Sequence, residues 1–186
     1  KNSTFILSSN KNFSKKKINS LIEKYFNTTH GSIKLENEIN DPKLRRNPGL
    51  SPEGMRRAAG LAQLAHHYKI SAIYSTNLKR TIDTVIPLSK ASGVKIDVSI
   101  KPFDYEAQLE DITSNYLGKT VVIVGHSNTV PGFINHIMPK AKMPDLHHNA
   151  YNDIFILKYY DQNKIEMLTM LYDVDTTITH SLFIKD

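Results

Sequence analysis

The sequence predicts a three-layer α/β/α sandwich whose sheet is mainly parallel with an antiparallel edge. Three observations carry this expectation. Thr120, Val121, Val122, Ile123 and Val124 form an apolar, β-branched run with no alternation, as a strand buried on both faces does. Strand and helix patterns alternate along most of the chain, which points to crossover connections and parallel pairing. Near the carboxyl end two apolar runs, 153–159 and 165–171, are separated only by Asp161-Gln162-Asn163-Lys164, the spacing of a β-hairpin.

The elements follow in order. Thr4-Phe5-Ile6-Leu7 is a short strand ended by Ser8-Ser9-Asn10. Ile18, Leu21, Ile22 and Tyr25 recur at helical spacing after Ser14, although Lys15-Lys16-Lys17 oppose the helix dipole. Residues 27–49 are polar and contain Gly31, Pro42, Pro48 and Gly49, so they read as a surface excursion between strand and helix. Ser51-Pro52-Glu53 is a strong helix start: a capping hydroxyl, a proline where no amide is missed, and a carboxylate at the positive end. Strand 71–74 ends in Ser75-Thr76-Asn77, and a helix over 78–91 is closed by Gly93. A strand over 95–98 and a modest helix over 105–116 precede the central strand. Gly125 ends that strand, and a helix begins at Asn128 or Thr129 with Pro131 in its first turn.

Composition bounds the rest. The 186 residues suit one domain, 1–186, with a sizeable core. A net charge of +6 is spread over the chain, which favours anions in general and does not make a nucleic-acid binder. With no cysteine, disulfides, thiolate nucleophiles and Cys-based metal sites are excluded. No apolar run approaches the roughly 20 residues of a membrane span, so the chain reads as soluble. The first residue, Lys1, is read as a processed or trimmed end; a signal peptide would lie outside it, and no compartment follows. His66-His67 suit the C-terminal end of their helix, and the neighbours His147-His148 point in different directions, so no metal site is expected; no cofactor is expected either.

Two residues carry chemistry on their own terms. His126 stands on the turn after the central strand, beside a helix N-terminus, where open α/β sheets collect ligands and anions. Read alone, that turn is equally well explained as an ordinary βα loop. Arg80 sits in the first turn of its helix, where a cation is unhelpful to the dipole, a local conflict that hints at function.

Taken together, Leu50-Ser51-Pro52-Glu53-Gly54 with Arg57-Ala58, the stretch 73–81 ending in Lys79-Arg80-Thr81 with Thr84 and Pro87, and the stretch 118–129 containing Gly125-His126-Ser127-Asn128 resemble the histidine phosphatase superfamily, the phosphoglycerate-mutase-like group. Residues 149–157 are similar to a tail strand in a small bacterial branch of it. The resemblance implies phosphoryl transfer through a phosphohistidine, in which fixed cations and donors surround one small anion. It assigns phosphate binding to Arg80, His126 and Asn128. Its first motif, Arg-His on the turn after the first strand, falls on Ser8-Ser9: Ser8 at the first arginine position, Ser9 at the nucleophile position. His30-Gly31 is a superficial second match, set aside because nothing before it reads as a buried strand.

The resulting expectation is a catalytically degenerate member, inactive for want of a nucleophile. It would bind phosphate or a phosphorylated small molecule weakly, or a protein partner, through a residual anion pocket. The alternatives are a weakly active or altered phosphomonoester hydrolase and a structural or interaction protein with a vestigial pocket. The strands ending at Leu7, Tyr74 and Val124 are expected to be parallel neighbours, with Ser9, Arg80 and His126 lining one concavity.

Overall fold

In the computed structural model the described residues are 3–8, 47–63, 67–147, 150–151, 153–161, 164–171 and 181–184. Strands β1 (Ser3–Ser8), β2 (Ile70–Ser75), β3 (Ile96–Asp97), β4 (Thr120–Gly125), β5 (Asp153–Asp161), β6 (Lys164–Leu171) and β7 (Ser181–Ile184) form one sheet in the order β3-β2-β4-β1-β5-β6-β7. Helices α1 (Pro52–Ala62), α2 (Lys79–Ser92), α3 (Tyr105–Asn115) and α4 (Thr129–Ile137) cover its faces.

The β4 side chains divide by period two. Val121 and Ile123 pack with Ala72 and Tyr74 of β2 against Ile112 of α3 and Phe133 and Ile134 of α4. Val122 and Val124 pack with Ile73 against Leu61 of α1 and Val85 and Leu88 of α2. The mixed α/β three-layer architecture is therefore present, and the unalternating β4 sequence is explained by burial on both faces. Each such buried aliphatic contributes roughly 1.5–3 kcal/mol.

Local chemistry sets the helix ends. The Ser51 hydroxyl accepts from the Gly54 amide at 3.1 Å, as its sequence predicts for a cap. Helix α2 has no cap from its own N-cap residue, Leu78. Asn47 serves instead: its Oδ1 accepts from the Lys79 amide at 2.7 Å, across 32 positions of sequence. Gly93 closes α2 in the left-handed region at φ 73°, which a glycine adopts without penalty.

Pairing is parallel in β3–β2–β4 and between β1 and β5. It is antiparallel along β5–β6–β7, the expected edge, to which β7 adds a strand not read from the sequence. One expectation is corrected: β1 runs antiparallel to β4, with Ser3 opposite Gly125 and Ser8 opposite Thr120. A short strand's apolar pattern is the same read in either direction, so Thr4-Phe5-Ile6-Leu7 fixed a strand without fixing its orientation. The observed β3 is also shorter than 95–98. The helix expected over 14–25 lies outside the described residues.

Candidate functional site

The parallel strands β2 and β4 end side by side, and the Thr76 amide donates to the Val124 carbonyl at 3.3 Å just beyond them. Each strand is followed by a tight turn and a helix, so the N-termini of α2 and α4 open at the same end of the sheet. Both are positive ends with amides lacking partners in their own helix.

His126 is held in this turn from two sides. Its amide donates to Thr129 Oγ1 at 2.7 Å, and its carbonyl accepts from the Val130 amide at 3.1 Å. Its Nε2 lies 2.8 Å from Thr76 Oγ1. Thr76 Oγ1 is in turn 2.8 Å from Thr81 Oγ1. The Thr81 hydroxyl reaches two carbonyls, those of Thr76 and Leu78, each at 2.8 Å. A hydroxyl carries one proton, so Thr81 donates to a carbonyl and accepts from Thr76. Thr76 then has its proton engaged and accepts from Nε2–H, which sets the neutral ring's tautomer. Thr76 and Thr81 are buried, and His126 is half-buried.

Gly125 is needed where it stands. A Cβ there would lie 2.5 Å from Thr129 Oγ1, the atom that receives the His126 amide. Ser127 contributes its carbonyl to the Leu146 amide at 2.8 Å, which ties the segment after α4 back onto the turn.

Arg80 is the second residue of α2 and half-buried, four positions after Thr76 and one before Thr81. The thread His126–Thr76–Thr81 therefore brings the Arg80 turn and the His126 turn together. Lys79 beside it pairs with Asp83 at 2.8 Å. Asn128 is exposed and is the N-cap residue of α4, yet its side chain makes no capping bond.

A cleft opens next to this corner, floored by the ends of β2 and β4 and walled by the β3–α3 connection and α4. Thr76, Gly125 and Thr129 line it together with Asp97, Lys101 and Gln108. Tyr74 on its floor donates to Asp111 of α3. Burial first, then the Asp111 hydrogen bond and charge, hold the Tyr74 phenol far above its ordinary pKa, so it stays a neutral donor.

The sequence profile of the histidine phosphatase superfamily (branch 1) matches residues 30–102. The chain resembles the histidine phosphatase superfamily. A comparison with curated protein sequences finds no match. Among solved structures, a mycobacterial glucosyl-3-phosphoglycerate phosphatase is 12% identical, with 98% of this chain and 97% of that chain covered and a TM-score of 0.47. The same phosphatase in complex with inorganic phosphate is 11% identical over 98% and 95%, with a TM-score of 0.45. A phosphoglycerate mutase from Plasmodium falciparum is 18% identical over 73% and 94%, with a TM-score of 0.46.

Measured against the histidine phosphatase pattern, Arg80, His126 and Asn128 all lie at one end of the sheet. Ser8 does not. Opposite Thr120, it is five residue steps from Gly125, on the order of 17 Å along β4. The reversal of β1 is the physical reason, and it removes Ser8 from the first-arginine position that the sequence suggested. Ser9 and His30 lie outside the described residues. Sequence reasoning missed Thr76 and Thr81 as supports of the histidine and Asn47 as the cap of α2. The run Ser75-Thr76-Asn77 was legible as a turn, but the imidazole that the Thr76 hydroxyl holds comes from 50 positions away. Among the described residues no group of three or more His, Asp or Glu side chains could hold a metal ion. No helix among them is long and apolar enough to cross a membrane.

Proposed function

We propose that the chain binds the phosphoryl group of a small phosphomonoester at the joint carboxyl ends of β2 and β4, with little or no hydrolysis. The observation that carries this reading is the Thr76–His126 hydrogen bond. It fixes an imidazole between two helix N-termini with a half-buried arginine one turn away. Arg80 supplies a forked cation and Asn128 an amide for the oxygens, beside the His126 ring that Thr76 holds.

Catalysis is crippled because the first Arg-His pair is incomplete wherever it is sought. Ser8-Ser9 has neither residue, and Thr29-His30-Gly31 has the histidine without the arginine. With ligands missing, inorganic phosphate binds on the order of millimolar. The test is calorimetric titration of phosphate into the wild type and into Arg80→Ala. Loss of the binding isotherm in the variant supports the reading, and an unchanged isotherm overturns it.

One observation favours a second reading, a working but slow phosphomonoesterase. The profile match begins at His30, which puts His30-Gly31 rather than Ser8-Ser9 at the head of the matched segment. Steady hydrolysis of a chromogenic phosphomonoester that His30→Ala abolishes would establish it. The same hydrolysis abolished by Ser9→Ala would return the nucleophile to the amino-terminal serines.

A further inference from the structure

The outer edge of the sheet at β3 carries a sequence that is its own complement. Among the described residues β3 is an end strand and pairs only with β2. Such an edge presents backbone amides and carbonyls to whatever strand can reach them. The residues along it are Val94, Lys95, Ile96, Asp97 and Val98, which read apolar, cation, apolar, anion, apolar. Read in reverse about Ile96, the pattern is the same with the two charges exchanged.

Packing fixes the two faces of this stretch. Val94 and Ile96 pack onto the core that holds Ile73, Val85 and Leu88, on the side of the sheet that carries α2. Ile96 stands opposite Ile73 and Asp97 opposite Tyr74, so Asp97 lies on the reverse face, and Lys95 with it by alternation. Both charged residues are exposed, and among the described residues neither has an ion-pair partner. Asp97 is held in place, since its Oδ1 accepts from the Ser99 amide at 2.7 Å. Val98 is exposed, as is Phe103 in the connection that follows.

An edge guarded against association carries charges that repel a second copy. This edge does the reverse. In an antiparallel pair centred on Ile96, Lys95 faces Asp97, Val94 faces Val98, and Ile96 faces Ile96; two-fold symmetry makes the first two contacts twice. Opposite charges and apolar side chains directly across a strand pair both stabilise it. Other pairings lose this match. A shift by one residue sets Lys95 against Val98 and Asp97 against Ile96, and a shift by two sets Lys95 or Asp97 against itself. In-register parallel pairing sets both against themselves. We infer that β3 pairs antiparallel with β3 of a second copy of this chain, centred on Ile96, and joins the two sheets into one. The second copy then supplies a ladder along the 95–98 stretch, which the sequence marks as strand and of which β2 pairs only part. The inference is independent of the phosphate-binding reading.

The test is analytical ultracentrifugation of the whole chain over a wide concentration series, with charge-reversed variants. The wild type is expected to pass from monomer to dimer as concentration rises. Lys95→Asp and Asp97→Lys each set like charges opposite one another twice, and each should weaken the dimer about tenfold or more. Both positions are exposed, so the variants keep the core, which circular dichroism checks. Mixing the two variants should restore a dimer, now a heterodimer, because every cation again faces an anion. The double variant Lys95→Asp with Asp97→Lys should restore the homodimer for the same reason. A wild type that stays monomeric at every concentration overturns the inference. A dimer that both single reversals leave unchanged overturns it too, because the contact then lies elsewhere. Single variants that are monomeric and remain so when mixed also overturn it, since facing charges would not be what was lost.

Discussion

The two halves of the sheet obey different rules. In the β3–β2–β4 half, strands run parallel and each is followed by a helix, so strand ends and helix N-termini gather at one end. In the β1–β5–β6–β7 half, β1 and β5 run parallel while β5–β6–β7 is antiparallel, so from β5 onward successive strand ends alternate between the two ends of the sheet. Only the first arrangement concentrates positive helix ends and turn side chains, and the candidate site lies there. The second supplies buried area: Phe155, Leu157, Ile165 and Met167 complete one core, while Ile154 and Met170 complete the other. β1 sits at the seam and takes its direction from β5 rather than from β4.

This division predicts that damage to the two halves will separate stability from binding. The largest effect is expected from Leu157→Ala in β5, where a fully buried side chain leaves a cavity. It should cost about 2–5 kcal/mol in denaturant unfolding and leave the phosphate affinity of the folded fraction unchanged. A Leu157→Ala protein that stays stable but loses phosphate would break the comparison.

Next comes Thr76→Val, which keeps the volume and removes the hydroxyl between His126 and Thr81. The expected loss of stability is about 1–3 kcal/mol. Phosphate affinity should fall further than this loss explains, because the imidazole is no longer held. Full retention of phosphate affinity would mean that His126 needs no such support.

A smaller effect is expected from Tyr74→Phe, which removes the donor to Asp111 and loosens α3 against β2. The cost is about 1 kcal/mol at neutral pH. The phenol's pKa is raised in the folded state, so its contribution is complete below the unfolded value of about 10 and is lost only as pH rises beyond it. The difference between wild type and variant should therefore be flat from pH 6 to 9.

The smallest effect concerns Asp153 at the start of β5, whose carboxyl is pushed up by burial. A raised carboxyl stabilises the fold only while protonated, and that contribution is lost as pH rises through the folded value. Asp153→Asn should melt slightly above wild type at neutral pH, and the difference should vanish below about pH 3.9. A variant that melts lower at neutral pH would show that the carboxylate has a partner worth more than its desolvation.

The same contrast separates what the sequence discloses from what it hides. β4 was legible because burial on both faces leaves its mark on every residue from Thr120 to Val124. Helix α1 was legible from Ser51-Pro52-Glu53, where each residue acts on its own neighbours. Arg80 and His126 were legible because turns at strand ends announce themselves locally. The direction of β1 was hidden, since orientation depends on which edges are open when the sheet assembles and not on the strand's own pattern. Asn47 and Thr76 were hidden for a related reason: their roles are partnerships across 32 and 50 positions. The placement of Ser8 inherited the error in β1. Introducing Arg and His at positions 8 and 9 should therefore restore no phosphatase turnover, because Ser8 faces Thr120 at the far end of β4.

The claim that the joint ends of β2 and β4 form an anion site is tested most directly by heteronuclear NMR during phosphate titration. The account predicts progressive shifts of the His126 imidazole and of the Thr76, Arg80 and Thr129 amides on the order of millimolar phosphate, all abolished in Arg80→Ala. Shifts confined to residues elsewhere, or shifts at His126 that persist unchanged in Arg80→Ala, would contradict it.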